Sequence, residues 1–227
     1  MVIVGAVANA AVILLGGIIG SFMKKGIPKK YGDSIMHAIS LFTFGMGIMF
    51  FLKSKEIMVV IISLIIGTLL GEWIDIEKRL ENLGNAIQSR MKAGYGNFSE
   101  GFVTASLIFC VGSMAIMGAM QSGLSGNHDI LFAKTALDAM SSIIFASAMG
   151  IGVAFSSAIV LIYEGGLSLA AAAVAPYLSN AVVDEMTAVG GILLMGLSIS
   201  VLDIKKIKAG NMLPALLVPV VIMVFFK

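Results

Sequence analysis

The chain has 227 residues, of which 59% are hydrophobic and only 12% charged, and its 15 Lys+Arg and 13 Asp+Glu leave a net charge of +2. A mean hydropathy of +1.02 lies well above that of a water-soluble globular domain, and so small a net charge gives no footing for nucleic acid. These values exclude a soluble enzyme and point to an integral membrane protein whose first partner is the lipid bilayer.

A membrane helix needs about 20 mostly apolar residues. The first such stretch is 2–23; no basic segment precedes it and Lys24-Lys25 follows, so it reads as a retained span rather than a signal peptide. Spans at 34–52 and 57–74 follow. The polar stretch 75–97 then carries Ile76, Leu80, Leu83, Ile87 and Met91 every three or four residues, with Glu77, Lys78, Arg79, Glu81 and Arg90 between them. That spacing predicts an amphipathic linker helix on the cytoplasmic surface, with Trp73 as an interfacial anchor and Glu72 beside it. The next span is 101–121, where the single cysteine, Cys110, rules out an intrachain disulfide.

No charge interrupts the chain between Asp138 and Glu164. The region 135–178 is therefore either one long helix with a re-entrant piece or two spans, 135–155 and 158–178, turning near Ser156-Ser157. Spans at 186–202 and 212–226 complete the chain. Positive charge decides between the alternatives. Eight spans place Lys24, Lys25, Lys29, Lys30, Lys78, Arg79, Arg90, Lys92, Lys205, Lys206 and Lys208 on one side, 11 of the 15 basic residues. Lys53, Lys55, Lys134 and Lys227 fall on the other. A single crossing at 135–178 would carry Lys205, Lys206 and Lys208 to the other side and weaken this asymmetry. The expected fold is thus all-α, with about eight transmembrane helices in one membrane domain and both termini outside the plasma (inner) membrane.

The second triplet of spans resembles the first. Asn9-Ala10 precedes Gly17 as Thr104-Ala105 precedes Gly112, and Thr187-Ala188 begins a similar glycine-bearing face in span 7. In the second spans, His37-Ala38 leads to Gly45-Met46-Gly47 and Asp138-Ala139 to Gly150-Ile151-Gly152. Three spans per copy would invert one copy relative to the other, with repeat 1 at about 2–74, repeat 2 at about 101–178 and two extra spans within 186–226. Inverted repeats place substrate paths at the interface between copies.

An ionisable side chain at the bilayer centre costs about 2.5–3.5 kcal/mol on insertion scales, so each one raises a question of function. Glu164, beside Gly165-Gly166, is expected roughly two turns inside span 6, as a cation or proton ligand unless a loop at 163–168 leaves it in water. Asp138 is expected about one turn into span 5, either on the path or paired at the membrane surface with Lys134 four residues earlier. Asn9, Thr104 and Thr187 are candidates to line the path by hydrogen bonding, or else to bond between helices beside small-residue faces such as Gly16/Gly20 and Gly67/Gly71. His37, Asp184 and Glu185 are secondary candidates; the last two would form an acidic outer mouth or simply open span 7. The 16 methionines lack paired spacing in a loop and read as packing rather than copper ligands. No motif calls for a cofactor, no catalytic constellation is present, and no metal is assigned.

Several stretches resemble domain of unknown function 554, a family of prokaryotic multi-spanning membrane proteins often labelled as transport proteins. They are Phe102 to Gly112, Gly150 to Val153 with Phe155-Ser156, Glu164-Gly165-Gly166, Glu185 to Gly191, and Asn211 to Leu217. The resemblance implies a multi-span membrane protein and carries no substrate. It also implies that glutamine stands before the double glycine in relatives, where this chain has Glu164. That favours a ligand or packing role for this side chain over an obligatory proton carrier. The expected function is transport of an ion or small solute by a homo-oligomer; an ion channel of the same architecture, or a membrane scaffold or sensor, is the alternative.

Overall fold

A computed structural model of the chain describes residues 2–24, 29–79, 82 and 98–225. Among these residues all regular structure is helical. The helices are α1 (Val4–Lys24), α2 (Lys29–Phe51), α3 (Ile57–Ile74), α4 (Phe98–Cys110), α5 (Ser113–Ser125), α6 (Asp129–Met149), α7 (Gly152–Val174), α8 (Asn180–Val201) and α9 (Val218–Phe225). Short 3-10 segments cover Ala175–Tyr177 and Ala209–Leu216. Apart from 75–79 and residue 82, the expected linker helix at 75–97 lies outside the described residues.

Among the described residues six helices are long and apolar enough to cross a bilayer, namely α1, α2, α3, α6, α7 and α8. The pair α4–α5 makes a seventh span if its two halves, bent by 61°, are counted together. The bend follows from Gly112, whose φ of +128° is open to glycine and strained for other residues. The expected span at 212–226 is instead the 3-10 segment followed by the two-turn α9, a shorter apolar piece than the rest.

The chain packs as two compact units. One comprises Met1–Met36, Glu81–Cys110 and Met114–Ala173, and so holds α1, α4, most of α5, α6 and α7. Here α1 and α6 lie against each other in the same direction, with Gly5 at Leu131, Gly16 at Ser142 and Gly20 at Ile143. A methyl group on Gly16 or Gly20 would collide with Ser142 Oγ or the Ile143 carbonyl, which is why small residues occupy this face. α7 runs the opposite way, with Gly17 at Ala154 and Gly165 near Ala6. Parallel α1 and α6 require an odd number of crossings between them. α2, α3 and the bent α4–α5 pair meet that parity if each crosses once.

The other unit comprises His37–Leu80, Val111–Ser113 and Val174–Lys227. α2 and α8 are antiparallel and touch through backbone, Gly47 against the Gly191 carbonyl and Gly191 against the Gly47 carbonyl. Gly67 and Gly71 of α3 seat the 3-10 segment at Ala215 and Asn211. The opposite face of α3 carries exposed Met58, Ile61, Ile65, Leu69 and Trp73, an apolar stripe at helical spacing. Both Gly-x-x-x-Gly pairs noted in the sequence therefore serve helix packing. Neither unit coincides with one of the two triplets of spans.

The region 135–178 holds two helices, as the charge balance required, but the turn is at Gly150-Ile151 rather than Ser156-Ser157. Gly150 takes φ +94°, the conformation that reverses the chain, while both serines lie inside α7. Gly150 and Gly152 thus bracket a turn, whereas their supposed counterparts Gly45 and Gly47 lie within α2.

Candidate functional site

The start of α6 decides the site. Gly126 turns the chain at φ +67°, and the Asn127 side chain accepts a hydrogen bond from the Asp129 amide at 2.8 Å. The helix consequently begins six residues before the span expected from hydropathy. That displacement carries Lys134 into its second turn and makes Asp138 the tenth of 21 residues, near mid-helix rather than one turn inside. On α7, Glu164 is the thirteenth of 23 residues, again near the middle. Asn9 is the sixth residue of α1. The pairings of α1 with α6 and α7 bring these three helices to the same level.

The result is a buried ionic cluster. Asn9 and Glu164 are 0% exposed, Lys134 6% and Asp138 7%. Lys134 Nζ forms an ion pair with Asp138 Oδ2, one turn along α6, and another with Glu164 Oε1 at 3.2 Å. Asn9 Nδ2 donates to Asp138 Oδ2 at 3.0 Å and lies 3.1 Å from both Glu164 oxygens. The Asn9 Oδ1 atom, equally buried, has no hydrogen-bond partner. Phe109, at the end of α4, places its ring 6.0 Å from the Lys134 ammonium, a favourable face for a cation. Ser168 Oγ donates to the Glu164 carbonyl at 2.8 Å and steadies that turn of α7.

Three of the five primary candidates therefore meet: Asn9, Asp138 and Glu164. Thr104, on α4, is buried with its hydroxyl unpaired and makes no bond to the cluster. Thr187 lies on α8 in the other unit, where its hydroxyl donates to the Val183 carbonyl of its own helix. His37 is exposed on α2. Asp184 is partly exposed, 4.0 Å from the Lys55 ammonium.

Glu185 is 1% exposed and accepts hydrogen bonds from Ser54 Oγ at 2.6 Å and from the Lys55 and Glu56 amides at 2.8 and 3.0 Å. Those amides are the open N–H groups before α3, so this carboxylate acts as a cap supplied from α8. Glu72 receives Lys208 Nζ at 3.3 Å, and this bond holds the exposed Lys208 above its ordinary pKa.

Lys134 is the member that hydropathy missed. The turn residues Gly126-Asn127-His128 before Asp129 are a helix-start signal and would have placed it inside the span. In a chain so apolar, a lysine and an aspartate four apart on one helix then mark a membrane-embedded pair.

Helices of spanning length, a lipid-type apolar exterior and an ionic cluster at mid-helix define a multi-pass helical membrane protein. The chain belongs to the family described as Protein of unknown function (DUF554), whose pattern matches residues 4–224. It is 36% identical over 222 residues to the uncharacterized membrane protein YdfK of Bacillus subtilis (strain 168), covering 96% of this chain and 94% of that protein. It is 32% identical over 220 residues to the uncharacterized protein YqgA of Escherichia coli (strain K12), covering 95% and 94%. No solved structure matches the chain.

Proposed function

We propose that the protein is a membrane transporter of an ion or small solute, with Asn9, Lys134, Asp138 and Glu164 forming its binding site. One observation carries this reading: three ionisable side chains meet near mid-helix with almost no exposure. Two apolar residues in place of an embedded ion pair would stabilise a bundle equally well or better. A cluster of this kind is the usual mark of an ion or substrate pathway in a membrane protein. The broken α4–α5 span adds support, since discontinuous helices commonly flank transporter sites.

In this reading α1, α6 and α7 carry the site and the two triplets of spans are inverted copies. With the 3-10 segment and α9 together completing an eighth crossing, the two ends of the chain face outward in the plasma (inner) membrane. Copies of the protein associate through apolar helix faces such as that of α3. The reaction is translocation without covalent chemistry.

A screen of ions and small metabolites for thermal stabilisation of the purified protein identifies the ligand, because binding raises apparent stability by mass action. Flux of that ligand into liposomes then tests transport, and Glu164→Gln should abolish it. Flux through Glu164→Gln equal to that of the parent protein would remove the site. Turnover far above about 10³ per second would assign a channel in place of a carrier, since alternating access takes microseconds to milliseconds.

A further inference from the structure

We propose that the Asp138–Glu164 pair is a proton site, and that the coupling ion of the transport reading above is this proton. The coupling role rests on that reading; the proton itself rests on charge and geometry alone. With every group ionised, Lys134, Asp138 and Glu164 sum to one excess negative charge. That charge would sit among residues no more than 7% exposed. An uncompensated charge in such surroundings is expensive enough that the group takes up a proton instead.

Among the described residues the neighbouring helices supply no other charge to the cluster. Asn9 on α1 is an amide. Cys110 on α4 and Tyr163 on α7, the other titratable groups within electrostatic reach, are neutral in their ordinary forms near pH 7. Lys134 already supplies the single cation of α6.

A second observation points the same way. Asn9 Oδ1 is a fully buried acceptor without a donor, on the same amide whose Nδ2 reaches both carboxylates. A buried acceptor left unpaired costs about 1–3 kcal/mol. Turning the amide over would aim its oxygen at two carboxylates, so the present orientation holds while they are charged acceptors. What the site lacks is one positive charge and one donor. A carboxyl O–H supplies the charge, and the Asn9 amide, once turned over, accepts from that O–H.

An inorganic cation is the poorer occupant. Lys134 Nζ stands between the carboxylates where such an ion would sit, and the atoms next to both Glu164 oxygens are N–H donors. Among the described residues no group of three or more His, Cys, Asp or Glu side chains is placed to hold a metal. The step is a simple transfer: a carboxylate oxygen of the pair accepts a proton from water to become a carboxylic acid, and returns it on opening. Deprotonation restores the excess charge and so favours a conformation in which water reaches the cluster. The proton belongs to the pair: it is taken up because two carboxylates share one lysine, so neutralising either of them removes the need for it.

Infrared spectroscopy of the full-length protein in lipid nanodiscs tests this directly, with isotope label on the side-chain carboxyls of Asp in one sample and of Glu in another. The expected result at neutral pH is a carboxylic acid band that moves with one of the labels. It should be lost in Asp138→Asn or in Glu164→Gln. A spectrum with no acid band in the unsubstituted protein overturns the proposal without recourse to a variant. So does an acid band that survives in both variants, or carboxylate bands that shift on adding sodium or potassium at fixed pH. The two readings fail separately. Absent flux with the acid band in place removes transport and leaves the proton site; an ionised pair removes the proton site whatever the flux.

Discussion

Glu164 and Glu185 are both buried glutamates, 0% and 1% exposed, and they solve burial in opposite ways. Glu185 sits at a helix entrance and meets a hydroxyl and two backbone amides, a set that suits a single negative charge. Glu164 sits at mid-helix, where every backbone amide is committed to the helix, and it shares one lysine and one amide group with a second carboxylate. The difference teaches that burial alone does not mark a functional carboxylate. What distinguishes the two is whether local donors and charges balance it.

Five substitutions sharpen or break that contrast. The largest effect is expected from Lys134→Met, which leaves two carboxylates facing each other and should cost about 3–5 kcal/mol. Unfolding midpoints in detergent would show it, and adding Glu164→Gln should recover part of the loss. A value below that of Glu185→Gln would mean that Lys134 is not the counter-charge of the cluster. Gly71→Val comes next, because any Cβ there strikes the Asn211 carbonyl; separating α3 from the 3-10 segment should cost about 1–3 kcal/mol by the same assay.

Glu185→Gln turns one accepting oxygen into a donor that faces other donors, and should cost about 1–2 kcal/mol while leaving ligand flux intact. Glu164→Gln should show the reverse pattern, a stability change under about 1 kcal/mol together with loss of flux, because an amide imitates a protonated carboxyl in shape. Equal stability losses in the two Gln variants would erase the distinction between cap and cluster. The smallest effect is expected at exposed His37, where His37→Ala should stay within about 0.5 kcal/mol and leave flux unchanged.

Orientation has its own check. Cysteines at Ser125 and Lys206, in a background with Cys110 replaced, should label from opposite sides of the membrane. Same-side labelling would remove the inverted-copy reading.

Some of this was readable from the chain alone. Hydropathy located the apolar blocks that became α1, α2, α3, α6, α7 and α8, because about 20 apolar residues have few stable options outside a bilayer. Charge parity required two helices within 135–178, and two are present. Asn9, Asp138 and Glu164 stood out because polar residues are conspicuous in apolar runs. Their meeting was not readable: 155 positions separate Asn9 from Glu164, and only the glycine-lined approach of α1 to α6 and α7 joins them. Nor was the cap at Glu185, whose donors lie about 130 positions away before α3. Lys134 was misplaced because hydropathy ends a span at the first charge, whereas the helix itself starts at the turn before Asp129. Sequence determined that this chain lives in a membrane and which side chains would be costly there. Tertiary packing decided which of them share that cost, since a buried charge is settled by its neighbours in space.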